Sequence, residues 1–194
     1  WLRDEHVDLL VDATHPFADR MSKNAAGAAL ATGTPMLVLR RPAWTAVPGD
    51  RWQSVHDEAA AATALGAARR RVFLALGRQH VAAFAAAPQH FYLVRSIDPV
   101  TDRVLPDAAY VEARAPFATA DEQALMEAHG IDVVVARNSG GSAGYGKIAA
   151  ARALGIPVVI IEPPDAPAGD IAETVDAAGA WIDHRLASAT LRGV

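Results

Sequence analysis

The sequence predicts an α/β fold in which a parallel sheet is flanked by helices on both faces. Short, continuous apolar runs, which suit strands buried on both faces, alternate along the whole chain with alanine-rich segments of helical periodicity. Repeated strand, loop and helix units of this length are typical of parallel sheets. With 194 residues, of which 52% are hydrophobic, the chain has enough material for one large or two small domains.

The first part of the chain contains two predicted strands and one predicted helix. The apolar run 7–11 predicts a buried strand, and the alanine-rich segment 21–31 predicts a helix that ends at Gly33. Residues 36–39 predict a second buried strand. The loop 40–49 contains two prolines and is therefore the candidate linker.

This linker predicts two domains, at residues 1–48 and 49–194. Within the second domain, Thr119 stands three residues before Glu122, a capping-box pattern that predicts the start of a helix. An acidic pair similarly predicts the start of the last helix. The predicted helices are 57–69, 79–87, 119–129, 145–154 and 170–184, and the predicted strands are 71–76, 90–96, 109–114, 131–136 and 157–161.

The composition argues against several classes of protein. A net charge of −4 disfavours a general nucleic-acid binder. No apolar run approaches the length of a membrane span, and the start of the chain does not look like a secretory signal, so no membrane partner is expected. The absence of cysteine fits a cytoplasmic protein. The histidines have no metal-ligand spacing, so we expect no metal, while the oligomeric state stays open.

A glycine-rich loop, Asn138-Ser139-Gly140-Gly141-Ser142-Ala143-Gly144, lies between a predicted buried strand and a predicted helix. A loop in this position gathers unpaired backbone N–H groups around a phosphate or a carboxylate. Its glycines and hydroxyl groups do not have Walker spacing with Lys147, which lies about one turn into the predicted helix and is consistent with a solvated side chain. The glycines also do not fit the dinucleotide pattern. Because a structural turn would explain one or two glycines but three less well, the composition favours a binding role.

The loop after the first predicted strand, Asp12-Ala13-Thr14-His15-Pro16-Phe17-Ala18, carries a carboxylate, a hydroxyl and an imidazole. Because histidine titrates near neutral pH, His15 is a candidate donor of a proton or a hydrogen bond to a ligand. The alternative is a simple helix start, in which Thr14 is the cap and Pro16 lies in the first turn. The loop alone favours neither interpretation.

Arginines stand at or just after several predicted strand ends, at the edge of a parallel sheet where ligands bind. A guanidinium group suits carboxylates and phosphates, although any single arginine is more often part of a surface ion pair. Together these arginines favour an anionic ligand. They are Arg40, Arg41, Arg78, Arg95 and Arg137.

Four sequence blocks occur in the order Asp12 to Ala18, Arg41-Pro-Ala-Trp44, Ala75-Leu-Gly-Arg78 and Asn138-Ser-Gly-Gly141. Together they resemble the precorrin-6A reductase family of cobalamin biosynthesis, over residues 7 to about 162. The resemblance implies an oxidoreductase that uses NADPH to reduce one double bond of the acidic tetrapyrrole precorrin-6A, giving precorrin-6B. It also implies two Rossmann-like lobes with the ligands in a cleft between them.

Two features of the chain depart from the family pattern. Family members usually open with a strand and a Gly-Gly-Thr-x-Glu turn for cofactor phosphates, which this chain lacks. We therefore expect the chain to be part of a longer protein, with residues 1–48 the remainder of the N-terminal lobe. Arg137 stands where a lysine is common, which keeps the positive charge.

The resemblance implies roles for individual residues. Arg41, Arg78 and Arg95 would bind substrate carboxylates, and His15 is the candidate proton donor, with solvent as the competing source. The residues that would bind the cofactor are Thr14, His15, Pro16, Phe17, Arg137, Asn138, Ser139, Gly140 and Gly141. A different class of function, a non-catalytic binding module for an anionic metabolite in an interlobe cleft, is the alternative.

Overall fold

The structure, a computed structural model, describes residues 1–114 and 116–190. The strands in these residues are β1 (Leu10–Asp12), β2 (Met36–Leu39), β3 (Trp52–Val55), β4 (Arg71–Ala75), β5 (Phe91–Ser96), β6 (Ala108–Glu112), β7 (Val133–Arg137), β8 (Val158–Ile161) and β9 (Asp170–Ala172). The α-helices are α1 (Asp19–Thr32), α2 (Glu58–Ala64), α3 (Thr119–Ala128), α4 (Gly146–Ala153) and α5 (Val175–Thr190). Two short 3-10 segments, Arg78–His80 and Ala82–Ala86, follow β4. The strands form two sheets, and all their pairings are parallel.

The chain divides into two units, and the first is formed by Trp1–Pro42 together with the residues from Pro164 on. Its sheet has the order β1-β2-β9. Because alternate side chains of a strand point to opposite faces, Met36 packs with α1 while Leu37 packs with α5. The small sheet is therefore covered by a helix on each face.

The second unit, Ala43–Pro163, contains a larger sheet with the order β3-β8-β7-β4-β5-β6. Its apolar core joins side chains of β4, β7 and β8 to Met126 of α3 and Ile148 of α4. Helix α2 packs against β8 and the segment Ala82–Ala86. Loops that leave the carboxyl ends of the strands at this edge are the usual ligand-binding positions of such a sheet. The structure thus confirms the predicted α/β class with parallel sheets flanked by helices.

The structure differs from the predicted elements near the end of the chain. Residues 170–184 are not one helix, since Asp170–Ala172 forms β9 and the helix begins at Val175. This strand pairs with β2, so residues from Pro164 on belong with the first unit rather than with residues 49–163. The predicted division into 1–48 and 49–194 therefore differs from the structural units because a pairing distant in sequence returns the chain to the first sheet.

Smaller differences concern β3, the 3-10 segments and α3. The strand Trp52–Val55 was absent from the predicted elements, and the predicted helix 79–87 is two 3-10 segments. The predicted capping box is not formed, because Ala118 is the N-cap and the side chain of Glu122 points into the interior. In the described part of the chain, no helix is long and apolar enough to cross a membrane.

Candidate functional site

Asn138 holds the start of the glycine-rich loop, which we define as residues 138–145 between β7 and α4. Its side chain is buried, and its Oδ1 accepts a hydrogen bond from the backbone N–H of Trp44 at 2.7 Å. Its Nδ2 donates to the carbonyl of Trp44 at 2.9 Å and to Oε2 of Glu162 at 2.9 Å. The amide therefore fixes the loop to the segment around Trp44, and its hydrogen-bonding groups are engaged within the protein.

Trp44 and Lys147 hold the rest of the glycine-rich loop through its carbonyl groups. The indole Nε1 of Trp44 donates to the carbonyl of Gly141 at 2.7 Å. The Nζ of Lys147 donates to the carbonyl of Gly144 at 2.6 Å, and it lies 5.0 Å from the centroid of the Trp44 ring. Because side chains of the protein donate hydrogen bonds to these carbonyls, the peptide planes of the loop have defined orientations.

The N–H groups of this loop are the main candidate for binding an anion. The backbone N–H groups of residues 140–144 have no hydrogen-bond acceptor among the residues that the structure describes. Gly140 and Gly141 have φ angles of 65° and 72°, a left-handed conformation that glycine adopts without strain. Successive N–H groups in such a turn form a concave site for a phosphate or a carboxylate.

Gly146 allows the helix after the loop to start close to a neighbouring segment. A Cβ at this position would lie 2.3 Å from the carbonyl oxygen of Phe117, which is closer than real contacts allow. The first residue of α4 must therefore be glycine for the loop and helix to keep this packing.

Arg95 does not lie where a substrate carboxylate could reach it. It forms a buried ion pair with Glu122, and its guanidinium group lies 3.7 Å from the centroid of the Phe117 ring. The sequence assigned Arg95 to the substrate because it stands near a strand end. The structure turns its side chain inward instead, since the carboxylate of Glu122 from α3 neutralises it there.

Lys147 lies near the same buried ion pair. Burial and, to a smaller extent, the charge of Arg95 lower the pKa of its ammonium group to about 8, although the charge of Glu122 partly opposes both effects. A lysine with such a pKa changes its charge much closer to neutral pH than an exposed lysine does. The protein therefore holds a titratable cation directly beneath the glycine-rich loop.

Arg137, the last residue of β7, belongs to a cluster with Glu58 and His80. Its Nη2 donates to Oε1 of Glu58 at 2.6 Å and to Nδ1 of His80 at 2.7 Å. Burial and the charge of Arg137 lower the pKa of His80, while the charge of Glu58 raises it. The sequence assigned Arg137 to the cofactor, and its guanidinium group already has these protein partners.

Arg78 lines a pocket of about 270 Å³ beyond the carboxyl ends of β4 and β5. Its side chain is half exposed and lies 4.0 Å from a carboxylate oxygen of Asp98. This ion pair is long and exposed to solvent, so it holds the guanidinium weakly. Of the arginines assigned to the substrate, Arg78 therefore keeps a side chain that a ligand in its pocket can reach.

In the first unit, the loop after β1 brings Thr14, His15 and Pro16 to a pocket of about 420 Å³ that Arg41 also lines. His15 is exposed, and its Nδ1 accepts a hydrogen bond from the backbone N–H of Phe17 at 3.2 Å. While this bond exists, a neutral His15 ring carries its proton on Nε2. His15, which the sequence assigned to the cofactor, and Arg41, which it assigned to the substrate, therefore line the same pocket.

Asp12, at the end of β1, is buried beneath this loop. Its Oδ1 accepts a hydrogen bond from the backbone N–H of Thr14 at 3.0 Å, and its Oδ2 has no partner within the described residues. Burial raises the pKa of Asp12, but the hydroxyl groups of Ser22 and Thr14 and the N–H of Thr14 outweigh this effect, so that the pKa is lowered. An ionised carboxylate thus orders the loop that carries His15.

Sequence reasoning missed three groups around these loops. No local sequence signal indicated a role for Glu58 or His80, although both contact Arg137. Lys147 was interpreted as a possible solvated side chain, but it is buried. The apolar residues three and four positions later on the same helix face, Ala150 and Ala151, were the available signal for its burial. Among the described residues, no group of three or more histidine, aspartate or glutamate side chains could hold a metal.

The parallel sheets and their flanking helices define an α/β protein of the doubly wound type, with the glycine-rich loop at the carboxyl end of a strand. A family model described as precorrin-6x reductase CbiJ/CobK matches residues 1–183. The chain belongs to this family and is an oxidoreductase.

Individual relatives and a solved structure agree with this membership. The chain is 54% identical to a precorrin-6A reductase of Sinorhizobium sp over 187 residues, which cover 94% of the chain and 72% of the relative. It is 47% identical to a precorrin-6A reductase of Rhodobacter capsulatus over 196 residues, covering 100% and 77%. A cobalt-precorrin-6A reductase of Priestia megaterium is 28% identical over 188 residues, covering 91% and 73%. The solved structure of a CobK precorrin-6A reductase is 46% identical and superposes with a TM-score of 0.91, covering 95% of this chain and 76% of that one.

Proposed function

We propose that this protein reduces one double bond of precorrin-6A with NADPH, giving precorrin-6B in cobalamin biosynthesis. The family membership supports the reaction. Identity of 54% to a precorrin-6A reductase, against 28% to a cobalt-precorrin-6A reductase, favours the metal-free macrocycle as substrate. The observation that carries the proposal is the row of N–H groups at residues 140–144 without an acceptor in the described chain, since a dinucleotide needs such a phosphate site.

The residues of the glycine-rich loop fit a phosphate group. Gly140 and Gly141 would donate their backbone N–H groups to it, and Ser139 lies beside them. Asn138 acts by holding the loop, because its own amide is engaged with Trp44 and Glu162. Arg137 contributes positive charge at the start of the loop, moderated by Glu58. These five residues form the proposed phosphate site of the cofactor.

The loop Thr14, His15, Pro16 and Phe17 is the proposed second contact with the cofactor, and His15 is the proposed proton donor. NADPH supplies the hydride when it is bound, so the protein must orient its ligands and deliver a proton to the neighbouring carbon. To act as that donor, the His15 ring must first be protonated on both nitrogens, which ends the hydrogen bond that Nδ1 accepts from Phe17 in the neutral ring. The imidazolium then gives up one N–H proton and returns to neutral imidazole. Asp12 keeps the loop ordered beneath it.

Arg41 and Arg78 are the proposed partners of substrate carboxylates. Both line pockets at carboxyl ends of strands, and guanidinium groups bind carboxylates in paired hydrogen bonds. Arg95 has no direct part in this proposal, because it is buried against Glu122. We place the reaction in the cytoplasm, which the absence of cysteine supports.

The test combines turnover with a pair of histidine variants. Precorrin-6A and NADPH are added to the protein, and loss of reduced-nicotinamide absorbance is followed; no loss contradicts the proposed reaction. His15→Ala is expected to lower kcat by about 100-fold, the lower range for a lost general acid. His56→Ala, at an exposed position of the second unit, is the control and should keep full turnover. Full turnover of His15→Ala across roughly pH 6 to 9, the range around histidine titration, would remove the proton-donor role and leave solvent as the source.

A further inference from the structure

A small cavity in the first unit, beneath the loop after β1, contains a buried carboxylate oxygen. Asp12 is 5% exposed, and its Oδ2 has no hydrogen-bond partner in the part of the chain that the structure describes. The cavity has a volume of about 10 Å³, which is room for about one water molecule. We call it the Asp12 cavity, and its lining includes Asp12, Thr14, His15, Asp19, Ser22 and Arg40.

His15 borders this cavity and also contacts Phe17. Its Nδ1 accepts a hydrogen bond from the backbone N–H of Phe17 at 3.2 Å, and the centroids of the two rings lie 5.9 Å apart. When the ring becomes an imidazolium, Nδ1 changes from an acceptor to a donor, so it can no longer bond to that N–H. The protonated ring therefore needs an acceptor for its new N–H, and a carboxylate is the strongest acceptor among side chains.

Several charged groups surround His15, and most of them are exposed or have another partner. Solvent screens the exposed side chains of Arg41, Asp165 and Glu173. Asp19 forms an ion pair with Lys23 at 2.7 Å, and Nη2 of Arg40 donates to the carbonyl of Pro164 at 2.6 Å. The charged side chains that line the Asp12 cavity or the neighbouring pocket of His15 are Asp12, Asp19, Arg40, Arg41, Asp165 and Glu173.

Asp12 differs from the other carboxylates because it is buried and keeps its charge. Burial raises the pKa of Asp12, but hydrogen bonds from Ser22 and Thr14 outweigh this effect and lower the pKa overall, so the group is ionised at neutral pH. A charge that is shielded from water acts more strongly on its neighbours than an exposed one. Asp12 is therefore the carboxylate best placed to stabilise a protonated His15.

We propose that Asp12 is a positioning residue for the proton donor, an inference that rests on the proposed function. Its Oδ2 accepts the N–H that His15 gains on protonation, either directly or through one water molecule in the Asp12 cavity. This bond stabilises the imidazolium and fixes the orientation of the ring, because the partner of one ring nitrogen determines which N–H is available at the other. The second N–H then faces the ligand.

The protons balance without any further group. The imidazolium of His15 gives one N–H proton to the carbon beside the one that receives the hydride, and it becomes neutral imidazole. Solvent returns a proton to the ring before the next turnover. Asp12 stays ionised throughout, so it acts through His15 and does not touch the ligand.

The test follows the titration of His15 itself. Its Cε1–H signal is recorded by NMR across roughly pH 5 to 9, the range around histidine titration, and is assigned by its absence from His15→Ala. Asp12→Asn removes the charge but keeps an oxygen that can accept from the N–H of Thr14. Asp19→Asn removes a carboxylate that lines the same cavity from α1, so it is the matched control. Urea unfolding of each variant reports whether it is folded.

Asp12→Asn is expected to lower the midpoint of the His15 titration by about one pH unit, the lower end of the range for a neighbouring charge, and Asp19→Asn by much less. An unchanged midpoint in folded Asp12→Asn overturns the inference, as does an equal fall in both variants. If Asp12→Asn does not fold, the wild type decides. Its His15 midpoint should lie above the ordinary histidine value of about 6.5, and a midpoint at or below that value overturns the inference.

Turnover separates this inference from the proposed function. The kcat of Asp12→Asn should be about tenfold below that of wild type at about pH 8.5, where the midpoint sets the protonated fraction of His15. At about pH 5 the two values should be nearly equal, because both rings are protonated. An equal loss at both pH values would mean that Asp12 only supports the fold, which overturns the positioning role. If the wild type does not oxidise NADPH with precorrin-6A, the proposed function fails, while the NMR titration still decides whether Asp12 acts on His15.

Discussion

The two loops proposed to bind the cofactor differ in what holds them. The glycine-rich loop is fixed by three side chains: the buried amide of Asn138 and the indole of Trp44 join it to the segment around Trp44, and the ammonium group of Lys147 joins it to α4. The loop after β1 is held mainly by local bonds, such as those from Thr14 N–H to Asp12 and from Phe17 N–H to His15. The first loop presents backbone N–H groups, whereas the second presents side chains.

This difference follows from what each kind of group can do. A backbone donor cannot titrate or change rotamer, so its usefulness depends on a scaffold that fixes the peptide planes. A side chain such as the imidazole of His15 needs only a local turn, and it retains the ability to exchange a proton. We therefore expect that removing the contacts that fix the peptide planes will impair the first loop most. Removing the titratable side chain will impair the second loop most.

Replacing the amide of the first loop should have the largest effect on stability. Asn138→Leu keeps a similar volume but removes the three hydrogen bonds to Trp44 and Glu162, and should lower the free energy of unfolding by about 4 kcal/mol, since each partner left unsatisfied costs about 1 to 3 kcal/mol. In the second loop, Thr14→Val is the matched change and should cost about 1 kcal/mol. Urea unfolding measures both values. Equal losses in the two variants would contradict the difference between the loops.

The cation beneath the first loop should make stability depend on pH. Burial lowers the pKa of Lys147 to about 8, below its ordinary value of 10.5, so the unfolded chain binds more protons than the folded one between these values. Stability therefore rises across this range as the buried charge is lost, by about 3 kcal/mol in total, and the cost of that charge is fully present below pH 8.

Lys147→Met isolates this effect. The difference in unfolding free energy between wild type and this variant, from urea titrations at several pH values, should shift in favour of wild type from pH 8 to 10.5. The contributions of all other ionisable groups are common to both proteins and cancel. A difference that stays constant over this range would show that Lys147 is not buried as a charged group. Lys23→Met, at an exposed position of α1, is the control and should show no such change.

The sequence predicted the parts of this architecture that depend on local patterns. The apolar run at 131–136 and Gly33, which ends the first helix, lie where they were expected, because burial on both faces and left-handed backbone have direct sequence signals. The strand β9 lacked such a signal. Its three residues owe their conformation to pairing with β2, more than a hundred residues earlier in the chain.

The candidate site was predictable to the same extent. The loops themselves were recognised from their composition, but the partners of their charged residues were not. Arg95 points inward because Glu122 of α3 meets it, and Arg137 meets Glu58 of α2, and neither pairing has a local signature. Asn138 looked like a ligand contact for the same reason, since its partner Trp44 lies 94 positions away.

Close packing at the end of the first loop should produce a smaller effect. Gly146→Ala would place a Cβ against the carbonyl of Phe117 and should lower the free energy of unfolding by about 1 to 3 kcal/mol, as overpacking usually does. Gly27→Ala in α1 is the matched helical control, because nothing lies within 4 Å of its Cβ, and it should raise stability by about 1 kcal/mol. Thermal or urea unfolding checks both signs. Stabilisation by both variants would mean that α4 can move away from Phe117.

The cluster at the start of the first loop should produce the smallest effect, seen in mild acid. Burial and the charge of Arg137 lower the pKa of His80 despite the opposing charge of Glu58, so the unfolded chain takes up a proton at higher pH than the folded chain does. The stability that neutral His80 contributes is therefore present above its ordinary pKa of 6.5 and is lost as the pH falls below it.

His80→Gln should lose less stability than wild type between pH 7.5 and 5.5, a range that brackets this value, as measured by urea unfolding midpoints. His56→Gln, whose side chain is exposed, should behave as wild type. An identical acid dependence in His80→Gln and wild type would mean that Arg137 does not act on His80, and would leave its guanidinium more available to an anion on the loop.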